Sequence, residues 1–402
     1  MTPTPHTESL RVLFAGGGTG GHLMPGAAIA SALSDAMPGA RCLFLTTPRR
    51  SEQHCHSVLR PFETAEVPAA RWGGLVRKLR FALTSLPAAS RSLEVMRDFQ
   101  PHAVVGLGGY SCVVPVLVAR ALALPTMILE SNAVPGRVVR LLAPAVDCVQ
   151  LQWREARRRL SGRRTVVTGN PVRPSLLEGN PIAARQRLGL APERVTLLVM
   201  GGSQGALAIN QGLEAALRHL CRNGETGPES LQILHLTGPR HLEEARRTPV
   251  GRDLIYRPLG FLDRMEDAYA AADVVLGRAG GSTLAETTAL GLPSLLVPYP
   301  HATDGHQLAN AQVLARAGAA LVIRQNHLTP DLLADLLQEV AERPGWLRSM
   351  AQHARTLGRP RAAQSVAAEL ARMAGFGFPQ PQTEGPDRIL SPTHRASLSK
   401  AA

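Results

Sequence analysis

The chain has 402 residues, with 44 Lys and Arg against 31 Asp and Glu, a formal charge of +13. At about 100–200 residues per domain, that length favours two domains. With 45% apolar and 19% charged residues, the bulk of the chain is not disordered. No run of ~18 apolar residues is present to span a bilayer. Met1 to Leu10 lack the charged-then-apolar order of a secretory signal. The five cysteines (Cys42, Cys55, Cys112, Cys148 and Cys221) form no Cys-x-x-Cys pair, which fits a reducing compartment and leaves no readable zinc cluster. Of the basic residues only Lys78 and Lys400 are lysine, and the positive balance suits an anionic partner. Nucleic acid is a poor candidate, because aromatics for base stacking are only 4% of the chain.

Taken in order, Arg11–Ala15 reads as a strand, then come glycines and a helix over Pro25–Leu33. Strands follow at Arg41–Thr46, Ala103–Leu107, Thr126–Leu129 and Cys148–Leu151. After Gly169-Asn-Pro the pattern restarts with Val195–Met200, Gln232–Leu236, Asp253–Arg257, Val274–Gly277, Ser294–Pro298 and Ala320–Ile323. Leu328–Arg343 and Trp346–Ala374 read as closing helices. Short apolar strands spaced by helix-length segments predict parallel sheets covered on both faces. The expected division is 1–172, then 173–351, with a helix at about 352–374 returning to the first domain and a mobile tail over 375–402.

The two halves repeat one another. Val12-Leu-Phe-Ala-Gly-Gly-Gly-Thr-Gly-Gly and Thr196-Leu-Leu-Val-Met-Gly-Gly-Ser-Gln-Gly are each strand, glycine loop and helix. Glycine pairs recur at equivalent strand ends (Gly17-Gly18, Gly108-Gly109, Gly201-Gly202, Gly280-Gly281). Such loops let backbone amides and a helix dipole approach an anion. Gly16, Gly18 and Gly21 match a dinucleotide fingerprint, but the second strand ends Thr46-Thr-Pro-Arg49 without the acid that binds a ribose, which disfavours NAD. Two phosphate-grade loops in two halves instead point to a diphosphate held from both sides, in a crevice at the strands' carboxyl ends.

Gly17-Gly-Thr-Gly-Gly-His22, Gly106-Leu-Gly-Gly-Tyr110, Gly169-Asn-Pro-Val-Arg173 and Gly201-Gly-Ser-Gln-Gly205 together resemble the MurG family of glycosyltransferases. Arg278-Ala-Gly-Gly-Ser-Thr-Leu-Ala-Glu286 and the stretch His301 to Asn310 continue the likeness in family order. The resemblance implies an α/β GT-B fold, with two Rossmann-like doubly wound domains around an interdomain cleft. It implies inverting transfer of N-acetylglucosamine (GlcNAc) from UDP-GlcNAc to the 4-hydroxyl of the N-acetylmuramic acid (MurNAc) in lipid I. The product is lipid II, made for peptidoglycan at the inner face of the bacterial cytoplasmic membrane.

By the same resemblance, Glu286 takes the ribose hydroxyls and the backbone at Leu262 reads uracil. Gly281, Ser282, Thr283 and Ser203 contact the diphosphate, and Gln307 reads sugar hydroxyls. Asn132, Arg173, Thr19, Gly20 and Gly21 complete the donor site. His22, at a helix start, is a candidate general base. No Asp-x-Asp occurs, which fits a metal-independent site, and no cofactor is expected beside the substrate UDP-GlcNAc. Many relatives carry His-Glu-Gln-Asn where this chain has Leu129-Glu-Ser-Asn132, so the carboxylate and asparagine are kept and the flanking His and Gln are not.

Between Glu66 and Glu94 there is no acid. Trp72, Leu75, Leu79, Ala82 and Leu86 approximate one helical face beside Arg71, Arg77, Lys78, Arg80 and Arg91. An apolar stripe with basic flanks suits an anionic membrane surface. On pattern alone a core-facing amphipathic helix fits somewhat better, and the lipid-linked acceptor implied by the resemblance tips the reading to the membrane. The other readings are another UDP-sugar enzyme of this fold, such as a lipid galactosyltransferase or a UDP-GlcNAc epimerase, and a non-catalytic nucleotide-binding scaffold.

Overall fold

The computed structural model describes residues 9–16, 20–47, 56–68, 75–160, 164–202, 205–222 and 228–379. Two parallel sheets organise them. The first contains β1 (Arg11–Ala15), β2 (Arg41–Thr46), β3 (Glu63–Glu66), β4 (Ala103–Gly106), β5 (Thr126–Glu130), β6 (Cys148–Leu151) and β7 (Thr165–Val167), in the order β3-β2-β1-β4-β5-β6-β7. The second contains β8 (Val195–Met200), β9 (Leu231–Leu236), β10 (Ile255–Leu259), β11 (Val274–Gly277), β12 (Ser294–Leu296) and β13 (Ala320–Val322), in the order β10-β9-β8-β11-β12-β13. This is the GT-B arrangement. The inner strands are uninterrupted apolar runs because helices cover both faces; Leu13, Phe14, Leu197 and Leu198 are fully buried.

Each sheet has one switch point. Strand β1 lies between β2 and β4, and β8 lies between β9 and β11. Connections leave these strands in opposite directions, which opens a crevice at their carboxyl ends. An apolar seam joins the domains there, with Ala133 and Trp153 of the first packed among Ala279, Leu284, Leu296 and Ala311 of the second.

Several elements differ from the sequence expectation. Edge strands β3 and β7 are polar or half-exposed and carry no apolar run to betray them. Strand β10 starts at Ile255, two residues later than expected. The first helix is Gly20–Ala36, so Pro25 lies inside it rather than at its start. The single closing stretch from Trp346 is two helices, Pro344–Leu357 and Ala362–Met373. Ala354 of the first packs in the interdomain seam, whereas Ala363, Val366 and Leu370 of the second join the first domain's core. The return to the first domain therefore occurs at 358–361, and residues 352–357 stay with the second. Val172 packs in the second domain's core, one residue before the expected boundary. The start of the expected mobile tail is also packed: Phe376 and Phe378 lie against the first domain's core, with the Phe376 ring centroid 4.9 Å from that of His102 and the two rings tilted by 51°. Residues 380–402 lie outside the described residues.

Candidate active site

The carboxyl ends of β1, β4 and β5 build one wall. A cleft of about 260 Å³ is lined there by Gly21, His22, Gly108, Tyr110, Asn132, Asn170 and, from the second domain, Thr303. Gly16 turns the chain out of β1 with a φ of 111°, and a Cβ there would meet the Gly108 carbonyl oxygen at 2.8 Å. Only glycine permits that approach of the two loops. His22 is half-buried on the first turn of the Gly20–Ala36 helix, and burial pushes its imidazole below the ordinary histidine value. The neutral ring it holds at pH 7 is the form that accepts a proton.

Glu130 ends β5 almost completely buried. Its Oε1 accepts from the backbone N–H and Nδ2 of Asn132, and its Oε2 accepts from the Gly136 N–H at 2.6 Å. This carboxylate therefore shapes the 131–136 loop. Burial raises its pKa, and these donors oppose the rise. Asn132, expected at the donor, has both amide atoms engaged within the protein. Its Oδ1 accepts from Asn310 Nδ2 at 3.0 Å, across the domain boundary. Asn310 also donates to the Ala279 carbonyl and accepts from the Ala133 N–H at 2.7 Å, so this fully buried side chain pins the two domains together. Nearer the mouth, Asp304 pairs with Arg140 at 2.5 Å and Arg137 at 3.6 Å, again between domains.

The second wall begins at the Gly281–Ala289 helix. Its N-cap is Gly280 with no side-chain cap, which leaves the first-turn amides pointing outward, as anion sites require. Gly281 abuts the other domain: a Cβ would lie 2.6 Å from the Ser131 carbonyl oxygen. Ser282 donates to the Gly21 carbonyl at 3.1 Å. Thr283 follows, half-buried. Glu286, one turn further, accepts a 2.7 Å hydrogen bond from the hydroxyl of Tyr269, and burial raises its pKa. Arg173 opposes that rise electrostatically, and its own buried Nε has no hydrogen-bond partner among the described residues.

Gln307 Oε1 accepts from the Tyr299 N–H at 2.9 Å, which leaves its amide N–H groups as the donors it can offer a ligand. Leu262 is half-buried just beyond the carboxyl end of β10. Among the described residues, Arg173, Leu262, Glu286 and Gln307 do not line the first-wall cleft, so the candidate residues fall into two sets.

Thr19, Ser203 and Trp72 lie outside the described residues. Leu75, Arg77, Lys78, Leu79 and Arg80 fall in the first turns of the Leu75–Phe99 helix, whose described part exposes Leu86. Among the described residues, no three His, Cys, Asp or Glu side chains cluster as metal ligands, and no helix is long and apolar enough to cross a membrane.

Sequence reasoning missed Tyr269 and gave Asn310 no role. The signal for Tyr269 was a lone hydroxyl-bearing aromatic in the small-residue run Tyr269-Ala-Ala-Ala272. Asn310 lay inside a quoted motif, but nothing in the sequence says that it faces another domain.

The glycosyltransferase family 28 N-terminal domain matches residues 12–150, and the family's C-terminal domain matches residues 196–366. The chain is 38% identical to the UDP-N-acetylglucosamine–N-acetylmuramyl-(pentapeptide) pyrophosphoryl-undecaprenol N-acetylglucosamine transferase of Myxococcus xanthus, over 89% of this chain and 91% of that one. Among solved structures, Acinetobacter baumannii MurG superposes with a TM-score of 0.70 at 29% identity, covering 90% of this chain and 99% of that one. A UDP-GlcNAc 2-epimerase from Neisseria meningitidis shares the fold alone, with a TM-score of 0.61 at 14% identity over 91% of this chain and all of that one. The chain belongs to glycosyltransferase family 28, within the MurG family of N-acetylglucosamine transferases.

Proposed function

We propose that this enzyme transfers GlcNAc from UDP-GlcNAc to the 4-hydroxyl of MurNAc in lipid I, giving lipid II with inversion at the anomeric carbon. The observation that carries the reading is the Ser282–Gly21 contact, which sets the uncapped helix start of one domain against the first-turn backbone of the other. A nucleotide diphosphate reaching the first-turn amides lies beside the cleft that holds His22. The family membership sets the substrate class.

In this mechanism the acceptor oxygen attacks the sugar carbon in one displacement. Neutral His22 takes the hydroxyl proton as the bond forms. The leaving diphosphate gains charge, which the first-turn amides and Arg173 stabilise without a metal or other cofactor. Glu286 accepts from the two ribose hydroxyls, since one carboxylate offers two adjacent acceptor oxygens. Gln307 holds the sugar with the donors left after its bond to Tyr299. The basic, leucine-bearing start of the Leu75–Phe99 helix rests on anionic lipid at the cytoplasmic face of the membrane, beside the lipid-linked acceptor.

Incubation with radiolabelled UDP-GlcNAc and a lipid I analogue tests the reading. Label should enter the lipid fraction and fall at least tenfold in Glu286→Ala. Equal incorporation by that variant removes the donor-site assignment, and incorporation from UDP-galactose alone removes the sugar. Sedimentation with anionic vesicles, but not with neutral ones, tests the membrane contact.

A further inference from the structure

Tyr269 is 2% exposed, and its hydroxyl donates to Glu286 Oε2 at 2.7 Å. Among the described residues, it is the one side chain that hydrogen-bonds this carboxylate. The residue sits on the Met265–Ala271 helix and shares the second domain's core with Ala268 and Ala271, both fully buried. A phenol so enclosed cannot rotate its oxygen elsewhere, and a buried Tyr hydroxyl needs a partner. Its single proton is committed to Glu286, so it has none to offer a ligand. The carboxylate, by contrast, hangs on three rotatable bonds from the Gly281–Ala289 helix. Anchoring Oε2 removes most of that freedom and still leaves one acceptor position on Oε2 and two on Oε1. A cis-diol needs one acceptor on each oxygen.

We propose that Tyr269 is a positioning residue that fixes the Glu286 carboxylate for the paired ribose hydroxyls of the donor, and thereby sets the site's preference for ribonucleotide over 2′-deoxyribonucleotide sugars. The proposal rests on the reading of Glu286 as the ribose acceptor. A preorganised carboxylate gains most from a ligand that satisfies both oxygens, and a ligand lacking one hydroxyl leaves an oxygen desolvated and unpaired.

Tyr269→Phe keeps the ring and removes only the oxygen. With full-length enzyme and a lipid I analogue, the KM for UDP-GlcNAc should rise about tenfold, the effect of one hydrogen bond to a charged group. The acceptor KM and kcat should stay within about twofold. The ratio of kcat/KM for UDP-GlcNAc over its 2′-deoxyuridine analogue should shrink by a similar factor. If Tyr269→Phe leaves the donor KM and that ratio unchanged while Glu286→Gln raises the donor KM, the positioning role is lost and the ribose reading stands. If Glu286→Gln also leaves the donor KM unchanged, the ribose reading fails first. A fall in kcat with both KM values unchanged marks a loss of folded enzyme and likewise overturns the proposal.

Discussion

Ser282 Oγ donates to the one helical carbonyl that Pro25 cannot serve: Gly21 O, four residues before the proline, is the acceptor at 3.1 Å. An ordinary residue at position 25 would direct its N–H to that oxygen, but proline has none to offer. A helix defect in the first domain thus supplies an acceptor to the second. Ser282→Ala should raise the donor KM two- to fivefold, corresponding to about 0.5–1 kcal/mol for one partly exposed hydrogen bond. Pro25→Ala should stabilise the isolated helix yet raise KM in the same direction, because the new N–H competes with Ser282. A Pro25→Ala enzyme with unchanged KM and a higher melting temperature would show that the shared carbonyl is incidental.

Gly281 makes the neighbouring contact. Its missing side chain leaves room for the Ser131 backbone of the other domain, and a Cβ would approach that carbonyl oxygen to 2.6 Å. Backbone cannot yield cheaply there, so Gly281→Val should hold the domains apart while leaving each one folded. A displacement of about 1 Å between reacting groups costs roughly 10²-fold in rate. Steady-state kinetics should therefore show kcat/KM down by about that factor, with an unchanged circular dichroism spectrum. Retained activity would place the chemistry in a more open arrangement of the domains.

His22 carries the only base assignment, and its environment makes a directional claim. Because burial lowers its pKa, the ring stays neutral until the pH falls below the ordinary histidine value of about 6.5. The acid limb of kcat/KM should accordingly lie below pH 6.5, with a flat profile above it. His22→Ala at saturating substrates should lower kcat by about 10²–10⁴-fold and abolish that limb. Comparable turnover, or an acid limb that survives the substitution, would transfer the role to another group.

The two sheets were legible because inner strands of a parallel sheet are short apolar runs, and β1, β8 and β11 announce themselves as such. The edges β3 and β7 were not, since Glu63-Thr-Ala-Glu66 and Thr165-Val-Val167 have no second buried face to impose a pattern. The site divides on the same principle. Gly281, Ser282 and Glu286 are placed by local spacing on one helix, so a motif carries them. Asn310, Tyr269 and the Arg140–Asp304 pair act through partners 178, 17 and 164 residues away, and no local pattern encodes such a meeting. The C-terminal return was half-legible for a related reason. Both closing helices are amphipathic, and only the turn at Gly358 reveals that they serve different domains.

His235 offers a test of the donor domain's interior that is independent of catalysis. It is fully buried on β9, with Nδ1 2.8 Å from the Tyr256 hydroxyl and Nε2 3.1 Å from Asn210 Oδ1. Asn210 Nδ2 donates to the Thr237 carbonyl, which makes Oδ1 the acceptor toward the ring. Nε2 therefore carries the proton and Nδ1 accepts from Tyr256. This neutral tautomer satisfies every member of the network. Burial depresses the imidazole to about 3, so the unfolded chain binds a proton at mildly acid pH that the folded chain refuses. The group's contribution is complete above about pH 6.5 and is lost as pH falls toward 3, at about 1.4 kcal/mol per unit. Glu214, which faces Tyr256, is itself shifted upward by burial and does not reverse the direction. His235→Gln removes the titration. The stability difference between wild type and this variant, measured by urea unfolding, should be about 2 kcal/mol smaller at pH 5 than at pH 7.5. A difference that does not change with pH would mean that the folded protein accommodates a charged ring at position 235.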